Sequence, residues 1–153
     1  LLLGSDQSPH DQYIQLAGSG YRIETAAFLH VVRQSESLSR LLLHFVHAFI
    51  TQTAQTVLAN GSSHIDERLA RWLLMCHDRI DGDTLPLTHK FLSMMLGVRR
   101  SGVTDTLHIL EGRRLVRAKR GEITIIDREK LERLAGASYG LSEAEYKRLI
   151  GAF

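Results

Sequence analysis

The sequence predicts a mainly α fold with small β elements (α+β): a long helix leading into a helical domain that carries a β-hairpin. Three observations carry the prediction. Ser37 to Ala59 contains no Gly or Pro and repeats apolar residues at spacings of three and four. Two shorter amphipathic segments meet at Gly97. After Gly112, two alternating runs flank Arg120-Gly121-Glu122.

Taken in order, Tyr13, Ile14 and Leu16, then Tyr21 and Ile23, suggest two short strands around the turn-forming Gly18-Ser19-Gly20. A short helix is expected from Glu24 to Val32. A lone hairpin is marginal in water, so residues 1–34 are expected to be the remnant of a larger domain.

Residues 35–60 form the long helix. Leu38, Leu41, Leu42, Phe45, Ala48 and Phe49 make one apolar stripe, continued by the polar Gln52, Gln55 and Thr56. Such a seam needs a cover, and a second copy of the same helix is the simplest one. Asn60-Gly61-Ser62 is expected to end this helix, with Gly61 in the left-handed conformation.

The remaining domain, residues 61–153, opens with Ser63 as the cap of a helix, supported by Asp66. Ile65, Leu69, Trp72, Leu73 and Cys76 supply its buried face. Asp81-Gly82-Asp83 and Pro86 mark a turn. Thr88 caps a short helix with Phe91, Leu92 and Met95 inward. Gly97 supplies the positive φ of a tight inter-helix turn. A second helix, 100–111, buries Val103, Leu107 and Leu110 and leaves Arg100, Ser101, Thr104 and Asp105 on its outer face. The hairpin of 115–119 and 123–126 follows. Asp127 then caps a helix with Leu131 and Leu134, and Ser142 with Glu145 suggests a capping box for a last one. Helix, Gly-containing turn, helix and basic hairpin, in that order, make a winged helix-turn-helix.

Composition narrows the function classes. With 44% hydrophobic and 24% charged residues, the chain is an ordinary soluble globular protein. It shows neither an uninterrupted membrane-length apolar run nor a cleavable leader, so a cytoplasmic, non-membrane protein is expected. Cys76 is the single cysteine, which excludes a disulfide framework or a thiolate metal site; in an apolar run it is expected to be buried and inert. The net charge of +2 hides a division. Leu1 to Pro86 carries six Lys and Arg against nine Asp and Glu, whereas Leu87 to Phe153 carries thirteen against eight. Thr88 to Gly121 alone holds eight basic residues against Asp105 and Glu111, which points to a polyanionic partner.

Several stretches resemble the Crp/Fnr family of bacterial transcription regulators: Glu67-Arg68-Leu69-Ala70-Arg71-Trp72-Leu73-Leu74, Leu87-Thr88, and Met95-Leu96-Gly97-Val98-Arg99-Arg100. Leu115 to Asp127 is similar to that family's wing. The resemblance implies a homodimer acting on double-stranded DNA at a near-palindromic operator, with RNA polymerase as a further partner. It makes the long helix the dimerisation helix, through Leu38, Leu41, Leu42, Phe45, Ala48, Phe49 and Gln52. It makes residues 1–34 the end of an effector-binding β-roll. The family's phosphate-cradling Gly-Glu and Arg-Ser cluster does not occur here, so cyclic nucleotide binding is not carried over. No cofactor or metal is assigned to this chain.

The resemblance places Arg100, Ser101 and Asp105 among the base-reading positions, with Thr104 on the same face. A guanidinium can pair bidentately with guanine O6 and N7, so Arg100 suits that role. Asp105 either accepts from a cytosine amino group or pairs with Arg99 or Arg100; the orienting pair is favoured, because phosphates repel a carboxylate. Thr88, His89, Lys90, Arg99, Lys119 and Arg120 are expected at phosphates. Arg113 and Arg114 are expected in solvent or under the wing.

Catalysis finds little support. His44 and His47 lie one turn apart without a third ligand, and neither His77-Asp78 nor His64 with Asp66 makes a nucleophile–base arrangement. The chain is therefore not expected to be an enzyme. A winged helix that binds protein rather than DNA is the alternative, but such a surface should be apolar where this one is basic.

Overall fold

The structure is a computed structural model that describes residues 1–8, 12, 14 and 18–151. Tyr13 and Leu16 lie outside the described residues. Ile14, Tyr21 and Ile23 are exposed and join no strand, so the expected N-terminal hairpin is not formed among the described residues.

Helix α1 spans Thr25–Gln34. Helix α2 spans Glu36–Ser62 and is capped by Ser35, whose Oγ accepts from the Leu38 N–H at 3.2 Å. Gly61 is helical rather than left-handed, a correction to the expected stop: α2 continues to Ser62 and ends on an extended Ser63. Helix α3, Ile65–His77, starts one residue later than expected. His64 is its N-cap, and the Glu67 carboxylate accepts from the His64 N–H at 3.1 Å, in place of a Ser63–Asp66 pair. Helix α4 is His89–Leu96, α5 is Arg100–Gly112 and α6 is Arg128–Ala135. A 3-10 turn at Gly136–Ser138 precedes α7, Leu141–Leu149. Ser142 does not cap α7. The cap is Gly140, whose φ of 105° lets Glu143 accept from its N–H at 2.8 Å; Ser142 is buried inside the first turn.

A three-stranded antiparallel sheet of order β1-β3-β2 joins Thr84–Leu85 (β1), Val116–Lys119 (β2) and Glu122–Ile125 (β3). The pairing of Thr84 with Thr124 and Leu85 with Ile123 attaches the hairpin to the segment before α4. A strand of two residues carries no period, which is why the sequence shows only a turn there.

One core unites the C-terminal domain. Leu69 and Leu73 of α3, Leu92 of α4, Val103 and Leu110 of α5, Ile123 of β3 and Leu131 of α6 are all fully buried. Burying a leucine side chain is worth about 1.5–3 kcal/mol, so this cluster dominates the domain's stability. Arginines of α3 then fix the neighbours. Arg68 donates to the Leu96 carbonyl at the end of α4, and the buried Arg71 donates from Nε to the Ser138 carbonyl at 2.7 Å.

Cys76 belongs to the same core, and burial pushes its thiol up to about 11. Its thiolate is the reactive form, so the native chain is expected to resist a disulfide reagent at pH 8 and to react once unfolded in guanidinium. Rapid stoichiometric labelling of the folded chain would make it an accessible sensor thiol instead.

On length and mean hydropathy, 1.2 over its best window, α2 is apolar enough to cross a membrane, yet it packs along α7 of its own domain. The His44 Nδ1–H donates to the Leu149 carbonyl at 3.3 Å, and His47 Nε2 lies 3.2 Å from the Glu145 carboxylate. Both histidines thus contact α7. The expected pairing stripe divides accordingly. Ala48 is buried by its own chain, a correction to its place in a dimer interface, and Gln52 accepts from Arg79 at 3.0 Å. Leu41, Phe45 and Phe49 remain about half exposed, while Leu38 and Leu42 are half-buried. Leu43, Ile50 and Val57, seven residues apart on the other side, are 47%, 57% and 67% exposed. Apart from Ala48, the expected stripe thus leaves apolar surface open beside this second, heptad-spaced row.

Candidate nucleic-acid interface

Thr88 caps α4 through its Oγ1, which accepts from the Phe91 N–H at 3.1 Å. Gly97 closes α4 with φ 62° and ψ 35°, a left-handed conformation that turns the chain straight into α5. Arg99 stands at the N-cap of α5 and Arg100 is its first residue, both exposed. Val103, Leu107 and Leu110 are buried, so the 3.6-residue period drives Arg100, Ser101 and Asp105 outward. The positive end of the α5 dipole coincides with two guanidiniums.

The wing stands beside this face. Lys119 pairs with Glu122 across a turn made by Arg120 and Gly121, where φ of 80° at Gly121 permits the tight reversal. Glu111 fixes the wing to α5: its Oε1 accepts from the Ala118 N–H at 2.7 Å. Between them lies an open groove of about 630 Å³. Thr88, His89, Arg100, Lys119 and Arg120 all border it, so elements 30 residues apart in sequence meet on one surface. Arg113 and Arg114 are exposed beyond the far end of α5.

Three details differ from or extend the sequence reading. Asp105 forms no ion pair among the described residues, so the orienting pair with Arg99 or Arg100 is absent; residues five or six apart do not share a helix face. Thr104 is only part-exposed, and its hydroxyl donates to the Arg100 carbonyl at 3.1 Å while meeting His89 Nδ1 at 2.9 Å. His108 was not singled out from sequence, yet it is exposed, borders the groove and lies 3.4 Å from Glu111. Its position two turns beyond Arg100 on the outer face was the available signal.

The chemistry of this surface is that of anion recognition by guanidinium, ammonium and imidazole groups around a projecting helix end. Two comparisons extend it. The sequence profile of the Crp-like helix-turn-helix domain matches residues 67–134. No curated protein matches the sequence. Among solved structures, a CooA variant from Carboxydothermus hydrogenoformans aligns with TM-score 0.62 and 17% identity, over 72% of this chain and 55% of that one. A putative transcriptional regulator of the Crp/Fnr family from Eubacterium rectale aligns with TM-score 0.55 and 23% identity, over 72% and 51%. A Crp/Fnr-family regulator from Thermus thermophilus gives 0.55 and 20%, over 74% and 56%. The chain thus spans about half the length of the structures it matches. Residues 67–134 thus match the Crp-like helix-turn-helix domain, and the fold is similar to that of solved Crp/Fnr-family regulators.

Proposed function

We propose that this chain binds double-stranded DNA as a homodimeric transcription regulator, with α5 in the major groove and the wing tip on the adjacent backbone. The observation that carries the reading is the meeting of Arg100 at the head of α5, next to the exposed N-cap Arg99, with Lys119 and Arg120 of the wing around one groove. Arg100 reads base edges, with Ser101 and Asp105 beside it; Thr88, His89, Lys90, Arg99, Lys119 and Arg120 hold phosphates. The α2 helices of two copies pair through the exposed Leu43, Ile50 and Val57, with Leu42 and Phe49 at the margin. That pairing would set two copies of α5 into successive major grooves about 34 Å apart on an inverted repeat. Regulation would then act on RNA polymerase in the cytoplasm. The reading assigns no cofactor and no catalysis to this chain.

Selection from a random duplex library, followed by a salt titration of the enriched pool, tests it. The expected result is an inverted repeat bound with a steep negative salt slope. Ile50→Asp is expected to give a monomer that no longer selects the repeat. A folded chain that binds no duplex at low salt would overturn the assignment.

A further inference from the structure

We propose that the joint between the long helix and the helix-turn-helix binds one halide-sized anion, held by the Arg71 guanidinium and the Trp72 indole; the inference does not depend on the DNA-binding reading. These neighbours on α3 line one small cavity, closed by Thr56 and Asn60 of α2 and by Leu96 at the end of α4. Arg71 is only 3% exposed. Its Nε donates to the Ser138 carbonyl at 2.7 Å, but its enclosed Nη2 meets no acceptor among the described residues. The Trp72 Nε1–H is enclosed and unmatched in the same way. Guanidinium and indole N–H groups donate and cannot accept, so neither serves the other. A buried donor left unmade is costly, and a buried charge without a partner more so.

The surroundings call for an anion rather than a neutral acceptor. Burial is the strongest influence on the Arg71 guanidinium and disfavours its charge. Glu143 offsets this in part and Arg79 adds to it, and the Glu143 carboxylate is itself engaged by the Gly140 N–H and the Ser142 hydroxyl. The cavity lining contributes a second guanidinium, Arg68, and no carboxylate. Arg68 occupies the acceptors at hand, donating to the Asn60 side-chain oxygen at 3.0 Å and to the Leu96 carbonyl. Water could accept from both unmatched donors but would leave the charge uncompensated. At about 10 Å³ the cavity has room on the order of one water-sized particle, which suits a monatomic anion and is too small for a phosphate or a carboxylic acid. Chloride is the common solute of that size and charge. Bound there, it would tie α2 and α3 to the residue before the Gly97 turn, where α4 hands over to α5.

Two measurements on the full chain test the site. Trp72 is the single tryptophan, so its fluorescence reports on this cavity alone. Bromide, a heavy-atom quencher close to chloride in size, is titrated at constant ionic strength with gluconate as the balancing anion. Saturable quenching that chloride reverses is expected; quenching that only grows linearly with bromide, or none, would overturn the assignment. Urea unfolding is then followed at several chloride concentrations balanced in the same way. One anion bound only by the folded chain raises the folding constant about tenfold for each tenfold rise in chloride above its Kd. Trp72→Phe removes the N–H and keeps a ring in place, whereas Arg71→Met removes the charge and keeps the stem. Both variants are expected to flatten the chloride dependence. A parent indifferent to chloride would mean that water serves the two donors, and would overturn the proposal. A dependence that both variants retain in full would be a general salt effect and would overturn it equally. Neither result touches the DNA-binding reading, which stands or falls on the duplex selection.

Discussion

Arg100→Ala is expected to fold like the parent and to bind duplex DNA with little choice among sequences. Arg100 is exposed and makes no ion pair among the described residues, so the folded state loses almost nothing with it. What is lost is a bidentate guanidinium at the head of α5, worth about 1–3 kcal/mol of discrimination against a wrong base. In a dimer the loss occurs in both half-sites. Lys119, Arg120 and the other phosphate-facing groups remain, so weak, salt-sensitive binding should persist. Competition between the selected repeat and scrambled duplex measures the ratio directly. A variant that keeps the parent's ratio would show that another residue reads the sequence, and Ser101, Asp105 and His108 would be next in order.

The elements carrying this surface were legible because each rests on a local rule. Thr88 and Asp127 cap helices in the predicted way, Gly97 takes the left-handed turn, and Gly121 closes the hairpin. The errors arose where two local signals competed. At Ser63-Asp66 and Ser142-Glu145 a hydroxyl followed by an acid imitated a capping box, but glutamates at positions 67 and 143 reach back to His64 and Gly140 instead. Gly61 has the look of a helix stop, yet helix propensity alone costs only about 1 kcal/mol at a glycine, and α2 continues through it. The candidate site was legible as charge only in part, since of the basic residues of 88–121 Arg100, Lys119 and Arg120 border one groove while Arg113 and Arg114 lie beyond the far end of α5. Its internal bonds were not, because the contacts of Thr104 with His89 and of Glu111 with Ala118 depend on how helices and sheet pack.

The least legible part of the structure is a polar network whose disruption is also expected to be costly. Arg128, at the start of α6, donates from Nη2 to Asp78 at 2.8 Å and to the Tyr139 hydroxyl at 2.7 Å, and from Nη1 to His77 Nδ1 at 2.7 Å. Tyr139 in turn donates to Asp78 at 2.9 Å, and His77 Nε2 donates to Asp83 at 2.9 Å. One guanidinium thereby ties the end of α3, the segment before β1, α6 and the turn before α7. Burial, then the hydrogen bond to Asp78, holds the Tyr139 phenol above its ordinary range, so this network stays intact across neutral pH. Arg128→Met keeps the stem but strands Asp78, whose side chain is only 11% exposed. Removing one partner of a fully buried pair costs about 3–5 kcal/mol; because Arg128 is about a third exposed, screening reduces the expected loss to about 2 kcal/mol. Chemical denaturation should show a lower midpoint with an unchanged slope. Adding Asp78→Asn should recover part of the loss, since a neutral amide no longer demands the missing charge. If the double variant is no more stable than Arg128→Met alone, the loss comes from packing of the arginine stem rather than from a stranded carboxylate.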